Sequence, residues 1–381
     1  MKFIVLAILI LTLPDLYIWF SFVRGNVGLV WKILYWVPLL ATLMCIGFAL
    51  MGVHQPLLLK LFFMLLLCIA IPKLLFTVVS LAGRSVGLLL PAAAKIGNWT
   101  GVAVSFVSIG IFIYGLTSGW KELVTKEITV TSADVPEAFN GYRLVQLSDI
   151  HIGTFIGNEE FVQRLVKEVN DLHPDLIVFT GDLVNSSADE LDNFMEILPQ
   201  LRAKDGVYSI LGNHDYCEYH HYDTPDGARS NLREVIRRER GFGWDVLLNE
   251  HRFIHRGTDS IAIIGVENEG KPPFPSFADL PKAMKGVSDD AYKILLSHDP
   301  SHWRREVLPE TDIQLTLSGH THAMQLMIGN FSPAQWAYRE WGGAYQEDKH
   351  MLYVSLGIGG TVPFRFGAWP EINVITLKRP E

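Results

Sequence analysis

Four long apolar runs fill the first 120 of the chain's 381 residues, with a single acidic side chain, Asp15, among them. A helix needs roughly 20 apolar residues to cross a bilayer. Residues 3–23 supply one such run between Lys2 and Arg24, residues 33–53 a second between Lys32 and His54, and residues 102–120 a last one closed by Lys121. Residues 61–83 are equally apolar, but Pro72 and Lys73 interrupt them. Proline is tolerated in a membrane helix whose neighbours satisfy the freed backbone groups, and an intramembrane lysine must snorkel or face the bundle. The expectation is an all-α membrane region over residues 1–120 with about four spans. A linker over 121–139, with a short β-rich piece at 127–130, and a soluble domain over 140–381 follow. The run 84–98 is the one long loop expected between spans. No small-residue cleavage site follows the first run, which argues for a retained span rather than a signal peptide. Asp15 reads as bundle-facing or interfacial.

Charge divides the chain at the same place. Residues 1–120 carry seven Lys/Arg against one acid, so the rest holds 25 basic and 39 acidic residues, a net of −14, with twelve of the 13 histidines. An acidic soluble part excludes a broad nucleic-acid surface, which needs basic charge to release counterions. Lys2, Lys60, Lys121 and Lys126 fall on one side of the expected spans and Arg24, Lys32, Arg84 and Lys95 on the other. This even tally gives no orientation under the positive-inside rule. The assignment is a multi-pass cell-membrane protein, with a lean towards a cytoplasmic soluble domain. Three cysteines make no disulfide framework, and only Cys217 lies in the soluble part.

The soluble part alternates strand and helix patterns. Residues 142–148, 175–180 and 206–211 read as buried strands, and 159–172 as a helix capped by Asn158 with Phe161, Leu165, Val166 and Val169 on one face. Residues 191–201 read as a second helix. Later strands are expected at 246–248, 261–266, 293–296, 313–317, 352–355 and 372–377. The rhythm predicts an α/β fold, a sandwich of two sheets, with its site beyond the carboxyl ends of the strands.

Polar residues gather at those ends. Asp149 and His151 follow the first strand (SDIHIG), Asp182 the second (TGD), and Asn213, His214 and Asp215 the third (LGNHD). His298 and Asp299 follow a fourth (LLSHD), and His320 and His322 a fifth (LSGHTH). Gly181, Gly212 and Gly319 mark turns that bend sharply or approach a ligand closely. One Asp after a strand is commonly a helix cap, and one histidine is commonly a satisfied surface or core residue. Independent caps have no reason to recur in this order. Four imidazoles, two carboxylates and one amide oxygen suit first-row ions such as Mn, Fe, Zn, Co or Ni. They are too many for one tetrahedral ion and suit two ions sharing a carboxylate, which can clamp both oxygens of a phosphoryl displacement. Bound cations also let an acidic domain hold phosphate.

Taken together, the five motifs resemble those of the calcineurin-like metallophosphoesterase superfamily over about residues 140–378. The segments YVSLG and RFGAWPEI are similar to its membrane-anchored or exported bacterial branch, related to the YkuE and YaeI phosphoesterases. The resemblance implies an αββα sandwich of two mixed sheets and two divalent ions, manganese first among them. It implies Asp149, His151, Asp182 and His322 around one ion, and Asp182, Asn213, His298 and His320 around the other, with Asp182 and a hydroxide as bridges. His214 would protonate the leaving oxygen or stabilise the transition state, oriented by Asp215. Ala323 departs from the glycine common in this branch and puts the local backbone in doubt. The implied activity is hydrolysis of a phosphomonoester, phosphodiester or pyrophosphate by the bridging hydroxide. Some relatives cleave UDP-diacylglucosamine, so a lipid-linked substrate or a phospholipid is expected; no protein partner is evident.

The alternative is a catalytically degenerate membrane-bound metal-binding scaffold or sensor. Loss of His214 or several ligands would signal it, and none is lost. A transport role for the helical third has only Asp15 and Lys73 as polar elements. The His220–His221 pair reads as a solvated loop rather than a third metal site, and His302 as a surface residue at a helix start. Arg365 is expected to reach a substrate phosphate, since its planar fork suits oxyanions.

Overall fold

The computed structural model describes residues 2–51, 56–219, 222, 224, 226–272 and 274–380. The chain divides into two compact units, Met1–Thr117 and Ser118–Glu381. The His220–His221 pair lies outside the described residues.

The first unit is helical: α1 (Lys2–Ile18), α2 (Leu29–Leu50), α3 (Pro56–Leu65), α4 (Ile71–Gly87) and α5 (Ala92–Thr117). Four stretches are long and apolar enough to cross a membrane: Leu6–Val23, Leu29–Leu50, Leu57–Gly87 and Ala92–Lys121. The third joins α3 to α4 through a π-turn at Leu66–Ala70, just before Pro72. A wider turn absorbs the place where the proline ring and missing N–H break the α-helical ladder. The Pro72 carbonyl accepts from Ser105 Oγ at 2.8 Å. Buried Asp15 accepts from Lys73 Nζ, and the ammonium lies 4.6 Å from the Tyr35 ring centroid. The two charges therefore neutralise each other inside the bundle. The long loop expected over 84–98 is mostly helix, and only 88–91 separate α4 from α5. Arg84 and Lys95 sit on helix ends, where long basic side chains are compatible with a span.

The second unit contains two six-stranded sheets. The first runs β1 (Val124–Thr131), β12 (Glu371–Lys378), β2 (Arg143–Leu147), β3 (Leu176–Phe179), β4 (Val207–Ser209) and β5 (Asp245–Val246). The second runs β10 (Gly343–Glu347), β11 (His350–Val354), β9 (Leu315–Ser318), β8 (Tyr292–Leu296), β7 (Asp259–Gly265) and β6 (Glu250–Arg256). β2 to β5 are parallel, as are β7, β8, β9 and β11; β12 runs antiparallel to β2. The residues expected as a linker thus carry β1, which pairs in parallel with β12 from Val124↔Glu371 to Thr131↔Lys378.

Strand periodicity sorts the core into layers. Leu144, Leu176 and Val178 meet Ile263, Ile294, Leu315 and Leu317 between the sheets. Val145, Leu147, Ile177 and Phe179 point the other way, against α6 (Glu159–Asp171) and α7 (Gly227–Gly241). Ile264, Leu295 and Val354 pack on Trp303, Val307 and α8 (Leu280–Met284). Central strands buried on both faces need apolar residues at nearly every position, and parallel order needs helices outside. The result is a mixed two-sheet α/β sandwich with helical outer layers.

Two local expectations change. Residues 191–201 form two 3₁₀ turns, Ala188–Phe194 and Leu198–Gln200, instead of an α-helix. Glu190 reaches back to the N–H groups of Asn185, Ser186 and Ser187, and Pro199 interrupts the run. Asn158 makes no side-chain cap for α6; its Oδ1 accepts from Lys121 Nζ at 2.9 Å. β6, β10 and α7 carry mixed polar sequences that no simple periodicity announced.

Candidate metal centre

Because β2, β3 and β4 are parallel neighbours, and β8 and β9 likewise, the segments after them emerge along one rim of the sandwich. Asp149, His151, Asp182 and His322 bring one ligand atom each to within 4.8 Å of one another, and Asp182, His298 and His320 form a second such group. Asp182 belongs to both. Its Oδ2 lies 3.5 Å from His151 Nε2 and 3.2 Å from His298 Nε2. His322 Nε2 lies 3.3 Å from Asp149 Oδ1 and 3.3 Å from His151 Nε2.

The backbone is bent to make this cluster. Asp149, His151, Asp182, His320 and His322 all have positive φ, between 47° and 75°. L-residues adopt that region only at a cost, and such residues gather at functional sites. Two glycines let the turns close. A Cβ at Gly212 would lie 2.2 Å from Asp182 Oδ1, and one at Gly319 2.1 Å from Asp149 Oδ2.

Hydrogen bonds around the cluster fix which ring nitrogen faces inward. His298 Nδ1–H donates to the Thr180 carbonyl at 2.8 Å, leaving Nε2 towards Asp182. Tyr338 Oη sits 2.7 Å from His320 Nε2, so Nδ1 is that ring's remaining nitrogen. Asn213 Nδ2 donates to Tyr219 Oη at 3.0 Å, while its buried Oδ1 has no hydrogen-bond partner. His298 Nε2 is likewise buried without one. Such orphans are costly unless something electropositive meets them. Partnered ring nitrogens opposite unpartnered ones are the arrangement of metal-ligating histidines. The donor set therefore fits divalent cations.

Electrostatics agree for three of the four rings. Burial, with the neighbouring imidazoles, lowers His151 to about 3 and His320 to about 4, and takes His322 well below its ordinary range. These rings stay neutral with lone pairs free. Burial alone would lower His298 too, but the Asp182 carboxylate beside it raises it to about 10. Burial raises Asp149 to about 6 against the pull of His298. Asp182 is held well below the carboxylate range because His298 and His214 outweigh its burial. Two carboxylates in so dry a site call for positive charge.

His214 is adjacent but turned differently. Its backbone N–H donates to Asp182 Oδ1 at 2.8 Å, and its ring Nδ1–H to the Asn185 carbonyl at 2.6 Å. Its ring packs on Tyr219 with centroids 4.5 Å apart. Asp215 does not orient it, contrary to expectation. The Asp215 carboxylate accepts from the N–H groups of Asp182, Leu183, Val184 and Gly212, at 2.8 to 3.1 Å. Four donors use up both oxygens, so Asp215 shapes the Asp182 turn.

Two further expectations are corrected. Arg365 is 1% exposed, and its guanidinium donates to the carbonyls of Gly359, Ala368 and Leu356. It also lies 3.3 Å from His322 Nδ1. It braces the ligand loops and is closed to substrate. His302 is buried, with both ring nitrogens engaged, by Ser297 Oγ and Glu306 Oε2 at 2.8 Å each. Among the residues sequence reasoning missed are Tyr338, Tyr219, the Asn185 carbonyl and Ser148, which donates to Asp149.

A two-sheet sandwich gathering Asp, Asn and His on one rim defines a metal-centred phosphoesterase fold. Residues 142–324 match the calcineurin-like phosphoesterase family, and residues 1–120 match the "Probable Calcineurin-like phosphoesterase, transmembrane domain". The chain belongs to the calcineurin-like metallophosphoesterase family and carries that family's membrane region. It is 32% identical over 268 residues to the uncharacterized metallophosphoesterase YkuE of Bacillus subtilis, covering 67% of this chain and 85% of that protein. It is 31% identical over 289 residues to the transmembrane protein with metallophosphoesterase domain of Danio rerio, covering 73% of this chain. It spans 62% of that zebrafish protein, less than two thirds. It is 25% identical over 286 residues to the UDP-2,3-diacylglucosamine pyrophosphatase LpxG of Chlamydia muridarum, covering 62% of this chain and 83% of that protein.

Proposed function

We propose that this chain is a membrane-anchored, dinuclear metal-dependent phosphoester hydrolase acting on a lipid-linked phosphoester or pyrophosphate. The observation that carries the reading is Asp182, whose carboxylate faces both groups of candidate ligands. Asp149, His151, Asp182 and His322 would hold one ion, and Asp182, Asn213, His298 and His320 the other. Manganese is the first choice, as a hard-to-borderline ion suited to mixed N and O donors. Such ions supply Lewis acidity that acidifies water near neutral pH and offsets phosphate charge.

The chain's own groups do the rest. The Asn185 carbonyl holds the His214 proton at Nδ1, which leaves Nε2 to exchange a proton with the leaving oxygen. Asp215 keeps the Asp182 turn in place. Arg365 neutralises buried carboxylate without competing for phosphate. The lipid-linked substrate is supported by the anchoring spans and by the activity in the name of the chlamydial relative.

The test is turnover by the solubilised full chain with Mn²⁺. An aryl phosphodiester should be hydrolysed, and Asp182→Ala should cost more than the ~100-fold typical of an outer-shell change, with loss of bound metal. A chain that binds two ions and hydrolyses no phosphoester would overturn the reading. UDP-diacylglucosamine and phospholipids should outrun soluble nucleotides; the reverse order removes the lipid substrate.

A further inference from the structure

From Ala323 to Tyr338 the chain carries no charged residue, inside a part whose net charge is −14. The segment leaves the metal centre at His322 and returns to it at Tyr338, whose hydroxyl meets His320. Between those ends it displays large apolar side chains: Met324 is 48% exposed, Ile328 55%, Phe331 41% and Trp336 78%. Phe331 and Trp336 pack edge to face, with centroids 5.5 Å apart.

This exposure is built rather than incidental. Ile328 and Phe331 exchange backbone hydrogen bonds at 2.9 and 3.1 Å across a tight turn at left-handed Gly329. Gln325 Nε2 donates to the carbonyls of Val362 and Phe364, and Ser332 Oγ to that of Ala323. Met327 N–H donates to the Phe366 carbonyl at 2.7 Å. The backbone's polar groups are thus satisfied from within, and the apolar tip is left over. An exposed apolar cluster without disorder marks a contact surface.

The occupant is set by composition and tether. The apolar spans of the first unit keep the second at a bilayer. An acidic part is repelled from anionic headgroups, so its contact with a membrane must be uncharged and apolar. Trp336 is a residue type that favours the headgroup level. Arg339, whose side chain is 72% exposed with its guanidinium 3.6 Å from Glu340, closes the segment.

We infer that residues 323–338 form a preformed wedge that inserts Ile328, Phe331 and Trp336 into the surface of the bilayer. The wedge brings the rim bearing His320 and His322 to headgroup depth, where a phosphoester carried on acyl chains is presented. Insertion itself is independent of hydrolysis; that it serves a lipid substrate rests on the function proposed above.

The experiment uses the full chain in phosphatidylcholine nanodiscs, with Cys45 and Cys68 replaced by Ser and buried Cys217 kept. An environment-sensitive NBD label is placed in separate chains at Ile328→Cys, Trp336→Cys and Phe253→Cys, the last an exposed position on β6. Retained metal content verifies folding for each. Lipids carrying a doxyl quencher at acyl carbon 5 should quench the labels at 328 and 336 at least twofold more than at 253, and aqueous iodide should do the opposite. Iodide reaching 328 and 336 as readily as 253 overturns the inference. So does shielding from iodide without doxyl quenching, which would place a protein rather than lipid on the wedge. As a second measure, Ile328→Glu/Phe331→Glu should lower doxyl quenching at 336 at least twofold; unchanged quenching also overturns it. Insertion without lipid hydrolysis would leave the wedge standing and remove only the lipid-substrate reading.

Discussion

Left-handed residues are the most concentrated local feature of the site. Ala323 has φ 50°, followed by Met324 at 48° and Gln325 at 59°. A left-handed L-residue costs roughly 1–2 kcal/mol. Ala323→Gly should therefore be neutral or mildly stabilising, relief of strain offsetting the gain in unfolded-chain entropy. Ala323→Val should destabilise by about 2 kcal/mol or more, because a β-branched side chain fits that region worst. Thermal unfolding separates them, and equal melting temperatures would argue against strain here. Tyr338→Phe removes the partner of His320 Nε2, and metal affinity by isothermal titration should fall roughly 10- to 100-fold. Unchanged affinity would show that the hydroxyl does not orient the ring. The gathering of Asp149, His151, Asp182, Asn213, His298, His320 and His322 was legible because each follows an apolar strand. Tyr338 and the Asn185 carbonyl were not, since they reach the cluster through loops whose course the motifs do not encode. Asp215 and Arg365 misled for a shared reason. A charged side chain near a site reads as chemistry, whereas burial here turned both towards backbone groups.

At the level of elements, α7 places a carboxylate against a strand. Glu239 is fully buried and accepts from Ser209 Oγ on β4 at 2.6 Å, while its Oε1 has no hydrogen-bond partner. Burial, with Asp215 nearby, raises its carboxyl well above the ordinary value against the Ser209 bond. The folded state thus holds this proton more tightly than the unfolded state. Its stability is full below the unfolded value of about 4.3 and declines as pH rises towards the folded value. Glu239→Gln cannot ionise, so its advantage over the parent should be absent near pH 4 and grow towards pH 8. Unfolding curves at both pH values check this; equal shifts would mean the carboxylate is not strained. The strands of the central parallel core were readable from continuous apolar runs. The 3₁₀ turns at Ala188–Phe194 and Leu198–Gln200 were not. Apolar spacing there looks helical, and the backward reach of Glu190 together with Pro199 decides otherwise.

For the whole molecule, the unit boundary lies before Trp120, and the sequence could not show this. Hydropathy counts Trp120 with the last span, but packing counts it with the sandwich: it is 8% exposed in the outer core of the first sheet, with its ring centroid 5.7 Å from that of Phe155. A chain beginning at Ser118 should fold and hydrolyse a soluble aryl phosphodiester like the full chain. One beginning at Ser132 lacks Trp120 and β1. It should lose at least the ~3–5 kcal/mol of a truncated core aromatic. Cooperative unfolding measured on both truncations decides it, and equal stability would make β1 an ornament of the edge.

The pairing of β1 with β12 also sets an order of events during synthesis. Val124 waits for Glu371 to leave the ribosome, on the order of ten to fifty seconds at ordinary elongation rates. By then the spans are already in the translocation machinery, and the sheet edge that β1 will occupy has not been made. Until the clasp shuts, the nascent chain carries an unpaired strand beside the membrane, which makes this interval its most exposed to chaperones and to misassembly.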